Sequence, residues 1–423
     1  MSLPEGYRIV VVPQSRAPEF HDIDSLVWAS VPSPEVLAQA PPAFDWGERT
    51  VAIEHDDEMV AMHASFAFVA PVPGGTVPCS GLTAVGVRPD HRRRGLLTAM
   101  IATHFERSLA RGEAISALYA AEEAIYGRYG YGRAADQLTL SVPRGAKLRP
   151  VAGSDELTVR FATVVPEVHR DLVDALHRAA GAGRPGWITR DSAQERANHV
   201  ADPPPWREGG EALRIATVHA PDGSPRGYAL LRRKEKWAHN GPEYSVTVKE
   251  IAALDAPAAY RLWSFLLDLD LTASVTATRL AVDDPVTQLL VEPRAATPEI
   301  SDNLWVRLLD LPAALTARRY AAPLDVVLDV TDGRLPANAG RWRLVTASGT
   351  PALGEGWAAN AMRTDAPADL TLDVRELSAA YLGGRSFVGQ ATAGLVTEQR
   401  CGAAAAAATA FGWPLAPVCS WGF

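Results

Sequence analysis

The stretch Val85-Gly86-Val87-Arg88-Pro89-Asp90-His91-Arg92-Arg93-Arg94-Gly95-Leu96-Leu97 changes its period partway along. Val85 and Val87 alternate as strand residues do, Pro89 ends the ladder because it has no N–H, and Leu96, Leu97, Met100 and Ile101 recur at helical spacing. A strand therefore runs through a basic turn into a helix whose first turn carries Gly95. Free N–H groups and the positive end of the helix dipole favour an anion there, and a residue without a Cβ lets a phosphate approach the backbone. Arg92, Arg93 and Arg94 add positive charge to the same turn.

After this helix comes an apolar strand, Ser116-Ala117-Leu118-Tyr119-Ala120, and then the run Tyr126-Gly127-Arg128-Tyr129-Gly130-Tyr131-Gly132. Three phenols are available as proton donors, because a phenol with an ordinary pKa of about 10 stays protonated at neutral pH. Spacing alone does not choose among Tyr126, Tyr129 and Tyr131.

At 423 residues the chain exceeds one ordinary core, and two or three units are expected. With 47% hydrophobic and 21% charged residues the composition is globular, and 33 glycines and 32 prolines imply many turns. Cys79, Cys401 and Cys419 have no metal-ligand spacing and cannot form a closed disulfide framework, so a cytoplasmic, reducing compartment and no metal are expected. Met1 to Phe20 lacks a basic segment followed by an apolar core, and no apolar run reaches membrane-span length. The net charge of -8 argues against a nucleic-acid partner and suits a cationic substrate. No Gly-rich loop ends in Gly-Lys-Ser or Gly-Lys-Thr, which excludes a P-loop enzyme.

Strand, turn and strand are expected over 50–69, with Asp56-Asp57 as the tight turn, and Pro143 to Asp155 reads as a linker. A second unit repeats this order: Ala212 to Leu231 with a turn at Pro221-Asp222-Gly223, a strand from Tyr244 to Leu254, then a helix with Tyr260, Trp263, Phe265 and Leu266. In place of the arginine turn it has Asp255-Ala256-Pro257-Ala258-Ala259, whose acidic residue would repel phosphate. The third unit opens with the strand Leu304 to Leu309 and a helix from Pro312, followed by strands at Leu324 to Val330 and Arg341 to Val345. Asp373 and Glu376 have the spacing of a reciprocal capping box, and alanines 403–408 suggest a closely packed helix. Trp413, Trp421 and Phe423 give the last residues too much aromatic surface for a frayed end.

Arg92, Gly95 and Leu97 match the pyrophosphate signature of the GCN5-related N-acetyltransferases (GNAT). Together with the tyrosine run from Ile125, the degenerate repeat, the start of the third unit and the aromatic tail, the chain resembles the Eis (enhanced intracellular survival) acetyltransferases over nearly its whole length. The resemblance implies a mixed α/β fold: a catalytic GNAT domain at 1–150, a GNAT-like domain without cofactor at 151–298, and a sterol-carrier-protein-like domain at 299–423 whose end reaches the active site. It implies acetyl-CoA as cosubstrate, a homohexamer, and acetylation of primary amines, on aminoglycoside-like polyamines or alternatively on protein lysines. A lipid carrier with a vestigial coenzyme A site is the reading from a different class. Family cofactor contacts fall on Val85, Gly86, Val87, Arg92, Arg93, Arg94, Gly95, Leu96, Leu97, Thr98, Ala121 and Glu122; the general acid falls on Tyr126 and the base on the carboxylate of Phe423. Where the family often has a bulky aromatic before the Val85 strand, this chain has Thr83-Ala84, which leaves the amine preference open.

Overall fold

The computed structural model describes residues 3–30, 33–349, 351–352 and 354–423; Met1 and Ser2, the first residues of the N-terminal segment read above, lie outside them. Two seven-stranded sheets and one five-stranded sheet form the frame. In the first sheet the order is Tyr7–Val11, Thr50–His55, Glu58–Val72, Gly75–Val87, Ile115–Leu118, Trp305–Leu308, Gly132–Arg133. Asp56 and Asp57 turn its first hairpin with φ of 51° and 64°, the left-handed conformation that a two-residue turn requires.

The second sheet repeats that order with Thr158–Thr163, Arg214–His219, Pro225–Lys234, Tyr244–Ala253, Thr272–Leu280, Asp136–Pro143 and Thr297–Asp302. Chain order and sheet membership therefore part at the boundaries drawn at 150 and 298. Asp136–Pro143, placed with the first domain, pairs antiparallel with Thr272–Leu280, while Trp305–Leu308, placed at the start of the third, pairs with Ile115–Leu118. The exchange is reciprocal. Each sheet lends a strand to its neighbour, so backbone N–H and C=O groups that would lie bare on an edge are paired instead.

The third unit carries strands Asp325–Thr331, Gly340–Thr346, Ala359–Arg363, Leu370–Asp373 and Val396–Glu398, with helices Leu311–Ala317, Val374–Ala380, Phe387–Thr392 and Ala403–Phe411. Its core is continuous with that of the first sheet, joining Phe66, Phe68 and Val77 to Leu311, Leu377 and Phe411. Asp373 caps its helix by accepting from the Arg375 N–H, but Glu376 closes no capping box: its carboxylate takes the Arg375 guanidinium instead. No helix among the described residues is long and apolar enough to cross a membrane.

Candidate active site

A parallel pair of strands that stops pairing early opens a cleft beside the arginine turn. Gly75–Val87 is bonded to Ile115–Leu118 only from Cys79 to Gly81, after which the strands part and Thr83 to Val87 keep a neighbour on one side alone. A bulge at Ala84, whose φ is 49°, marks the separation. The Arg88 N–H donates to the Val60 carbonyl, so alternation turns the N–H groups of Val85 and Val87 away from that neighbour and toward the cleft.

The cleft has a volume of about 430 Å³. Val85, Gly86, Val87, Arg92, Arg93, Gly95, Leu96, Leu97, Thr98, Ala121, Glu122 and Tyr126 all line it. Gly95 has φ +79° and a Cβ there would meet no protein atom within 4 Å, so glycine serves the backbone conformation and leaves the space to a ligand. The helix that follows, Leu96–Ala110, has no side-chain cap, and its first N–H groups face the turn unpaired. Arg93 is also left-handed, at 64°, and its side chain lines the cleft. A diphosphate ester fits this turn by backbone geometry as well as by charge.

Arg94 departs from the expected set. Its guanidinium donates to the Tyr7 hydroxyl at 2.5 Å and to the Asp90 carbonyl at 3.3 Å, and the side chain does not line the cleft. Alternating residues on a tight turn point to opposite sides, and charge alone did not distinguish this arginine from its neighbours. His91, Ile125, Arg128 and Tyr129, from the two runs quoted above, also line the cleft although the resemblance assigns them no cofactor contact, and Val27 and Trp28 line it with no motif to mark them.

The three tyrosines separate by their hydrogen bonds. The Tyr131 hydroxyl is fully buried against Ser116 Oγ at 2.8 Å, and that of Tyr129 meets Thr98 Oγ1 at 3.2 Å. Tyr126 ends the short helix Glu123–Tyr126 with its ring edge-on to Tyr131, and its hydroxyl has no side-chain partner among the described residues. Burial, then the Glu122 carboxylate and Tyr129, pushes the Tyr126 phenol up to about 12, which keeps it protonated but makes its proton harder to release.

Phe423 lies elsewhere. It lines a neighbouring cavity of about 460 Å³ together with Thr83 of the same splayed strand and Phe44, Phe66, Glu195, His199, Lys249 and Arg279. Its ring packs edge-on to Phe68 at 4.8 Å and Tyr119 at 5.2 Å, both in the first unit. The tail that brings it there is held from Val418 to Trp421. Val418 N–H donates to the Pro185 carbonyl, Cys419 N–H to Asn303 Oδ1, Trp421 Nε1–H to the Ile188 carbonyl, and the Tyr119 hydroxyl to the Trp421 carbonyl.

Ser420 provides the deepest anchor. Its hydroxyl donates to Glu250 Oε1 at 2.8 Å and meets His177 Nε2 at 2.9 Å. Glu250 also receives Arg190 at 3.1 and 3.2 Å, His199 Nε2 at 2.8 Å and the Tyr228 hydroxyl. Burial pushes the Glu250 carboxyl up, but Arg190 and the two histidines outweigh it and hold it well below the usual range. Removing that carboxylate would strand a buried guanidinium, at a cost of about 3–5 kcal/mol.

Residues 9–134 and 186–308 each match the profile of an acetyltransferase (GNAT) domain, and 311–420 that of a sterol carrier protein domain. The N-acetyltransferase Eis of Mycobacterium tuberculosis is 34% identical over 77% of this chain and 76% of its own length. The chain belongs to the Eis family of N-acetyltransferases. Among relatives of this family, a Streptomyces avermitilis protein named only as an uncharacterized N-acetyltransferase is 39% identical over 89% of this chain and 90% of its own. The crystal structure of Eis1 from Mycobacterium abscessus superposes with a TM-score of 0.81 at 28% identity, covering 99% of this chain and 100% of that one. The Eis architecture of two GNAT units and a sterol-carrier-like unit is thus this chain's own, and the chain is an acetyltransferase.

Proposed function

We propose that this Eis-family protein transfers the acetyl group of acetyl-CoA to a primary amine, with the first GNAT unit alone binding the cofactor. The observation that carries the reading is the Gly95 turn: left-handed, open at the Cβ position, uncapped and flanked by Arg92 and Arg93 on the rim of a splayed-strand cleft. Bound acetyl-CoA would supply an activated thioester carbonyl. Gly95 and the N–H groups that follow it would hold the diphosphate, and the Val85 and Val87 backbone N–H groups would donate to the carbonyl oxygen as negative charge grows on it.

As the C–N bond forms and the C–S bond breaks, one proton leaves the amine and one reaches the departing thiolate. Tyr126 donates the second of these. With its phenol near 12 and a thiol near 8.5, the transfer is uphill by about 5 kcal/mol if the two values stay as in isolation. The donated hydrogen bond therefore stabilises the developing thiolate before full transfer. Phe423 offers a carboxylate at the acceptor side, where it attracts the ammonium, passes its first proton to water before attack to free the lone pair, and accepts the second as the C–N bond forms.

The chain is read as assembling with copies of itself, as the resemblance implies; light scattering in solution tests this separately. For the activity, a panel of primary amines is incubated with acetyl-CoA while free thiol is detected. Thiol release that depends on the amine supports the reading, and release only by hydrolysis, with no amine effect, sinks it.

A further inference from the structure

The acceptor cavity beside Phe423 is walled partly by the central unit, and the charges that unit presents are of one sign. Lys249 and Arg279 both line the cavity. Burial lowers the Lys249 ammonium to about 8, against the pull of Glu250, so it remains cationic at neutral pH. Its Nζ donates to the His199 carbonyl at 2.6 Å, which leaves other N–H donors free. Arg279 is half-buried, and its guanidinium has no ion pair or hydrogen bond among the described residues; Nη2 lies 3.4 Å from where a Cβ on Gly422 would stand.

The nearby acids are already committed. Glu195 Oε2 accepts the Ser192 N–H in a capping box, and burial pushes its carboxyl up. Glu250 is surrounded by Arg190, His199, Tyr228 and Ser420. His199 is neutral at pH 7 because burial holds it at about 4 despite Glu250. Arg279 also sits in a left-handed conformation, φ 55°, where its strand slips register between Ala277 and Leu280. A non-glycine residue there is strained, and the bulge re-aims the side chain out of the regular ladder. An unpaired guanidinium on a strained bulge therefore faces the cavity beside Lys249, and against these two cations the Phe423 carboxylate supplies a single negative charge.

We infer that the acceptor is a primary amine that also carries an anionic group, a carboxylate or phosphate, gripped by Arg279 and Lys249 while its ammonium faces Phe423. This rests on the acetyltransferase reading of the same cavity and narrows it: a polycation such as an aminoglycoside would bring like charge against this wall.

The test uses the full-length protein and ω-amino acids from glycine to ε-aminocaproate, each beside the n-alkylamine and the diamine of the same carbon number, with phosphoethanolamine as the phosphate probe. Thiol release gives kcat/KM, and calorimetric titration into protein saturated with coenzyme A gives binding without turnover. At the best length the anionic amine is expected to exceed the diamine by about tenfold or more, a preference that Arg279→Met abolishes through KM and Arg279→Lys partly restores. A diamine preference, or an anion preference that survives Arg279→Met in a protein with a normal melting curve, overturns the inference. If no amine releases thiol yet the anionic amines bind in an Arg279-dependent way, the acetyl-transfer reading fails and the anion site stands.

Discussion

The two GNAT units have the same sheet order and the same parted parallel strands, yet they treat the space between those strands in opposite ways. In the first, pairing stops at Gly81 and the cleft beyond is lined by Gly95, Arg92 and Arg93. In the second, pairing of Tyr244–Ala253 with Thr272–Leu280 stops at Val248, and the space beyond is lined by Trp187, Arg184 and the tail residue Ser420. At the helix start the contrast is sharper. Asp255 accepts the Ala258 N–H and pairs with Arg226, so the central unit satisfies its own helix end, whereas the helix after Gly95 is left without a cap. A cofactor site of this kind is an unfinished helix terminus, and a short side chain is enough to finish it.

The largest effect expected is on the first unit's chemistry. Tyr126→Phe should lower kcat by about 10² to 10⁴ with little change in acetyl-CoA affinity, while Tyr129→Phe, which loses only the Thr98 contact, should change kcat far less. Stopped-flow thiol detection reads both, and a worse Tyr129 variant would reassign the donor. A few neutral residues added after Phe423 should also reduce kcat sharply while leaving coenzyme A binding near normal; full turnover in that protein would remove the Phe423 carboxylate from the mechanism and leave Glu122 as the nearer candidate.

Next is the turn itself. Gly95→Val places a β-branched residue at φ +79° and a methyl pair in the space reserved for phosphate, so the acetyl-CoA KM should rise by about 100-fold, with the melting temperature only modestly lowered because no protein atom is displaced. An unchanged cofactor titration would break the contrast between the two units at its root.

The central unit should respond to acid instead. His199 is held at about 4 and His177 at about 3, each mainly by burial, against about 6.5 in the unfolded chain. Since the folded state binds these protons less readily, stability is present above pH 6.5 and is lost as pH falls toward 4. Each buried ring contributes a loss of about 3 kcal/mol in order of magnitude, partly offset by coupling to Glu250. Denaturant unfolding between pH 7 and 4 measures it, and a flat profile would contradict the neutral histidines.

The smallest change tests the cap. Asp255→Ala should destabilise the central helix by about 1 kcal/mol without creating a second coenzyme A site, because Ala256 and Pro257 stand at that helix start where the first unit has its arginine turn and left-handed glycine. Calorimetry giving two cofactors per chain would show that the aspartate alone had closed it.

The cradle was legible in the sequence because everything it needs is local: a strand period, a proline, arginines and a glycine in consecutive positions, each acting through its own backbone geometry or charge. The Asp56-Asp57 hairpin and the acidic replacement at Asp255 were legible for the same reason. What the chain alone left open depends on partners far away in sequence. Which tyrosine keeps a free hydroxyl is set by Ser116 and Thr98; Arg94 is drawn aside by Tyr7; and a strand's alternation tells that it will pair but never with which neighbour, so Leu304 to Leu309 could be recognised as a strand without revealing that Trp305–Leu308 joins the first sheet, and Asp136–Pro143, which was not read as a strand at all, joins the second. Lys249 and Arg279 carry no motif at all. Only the packing of the central unit and the tail against the first sheet brings their charge to the cavity beside Phe423, since side chains from separate units become neighbours only when their shared surfaces are buried.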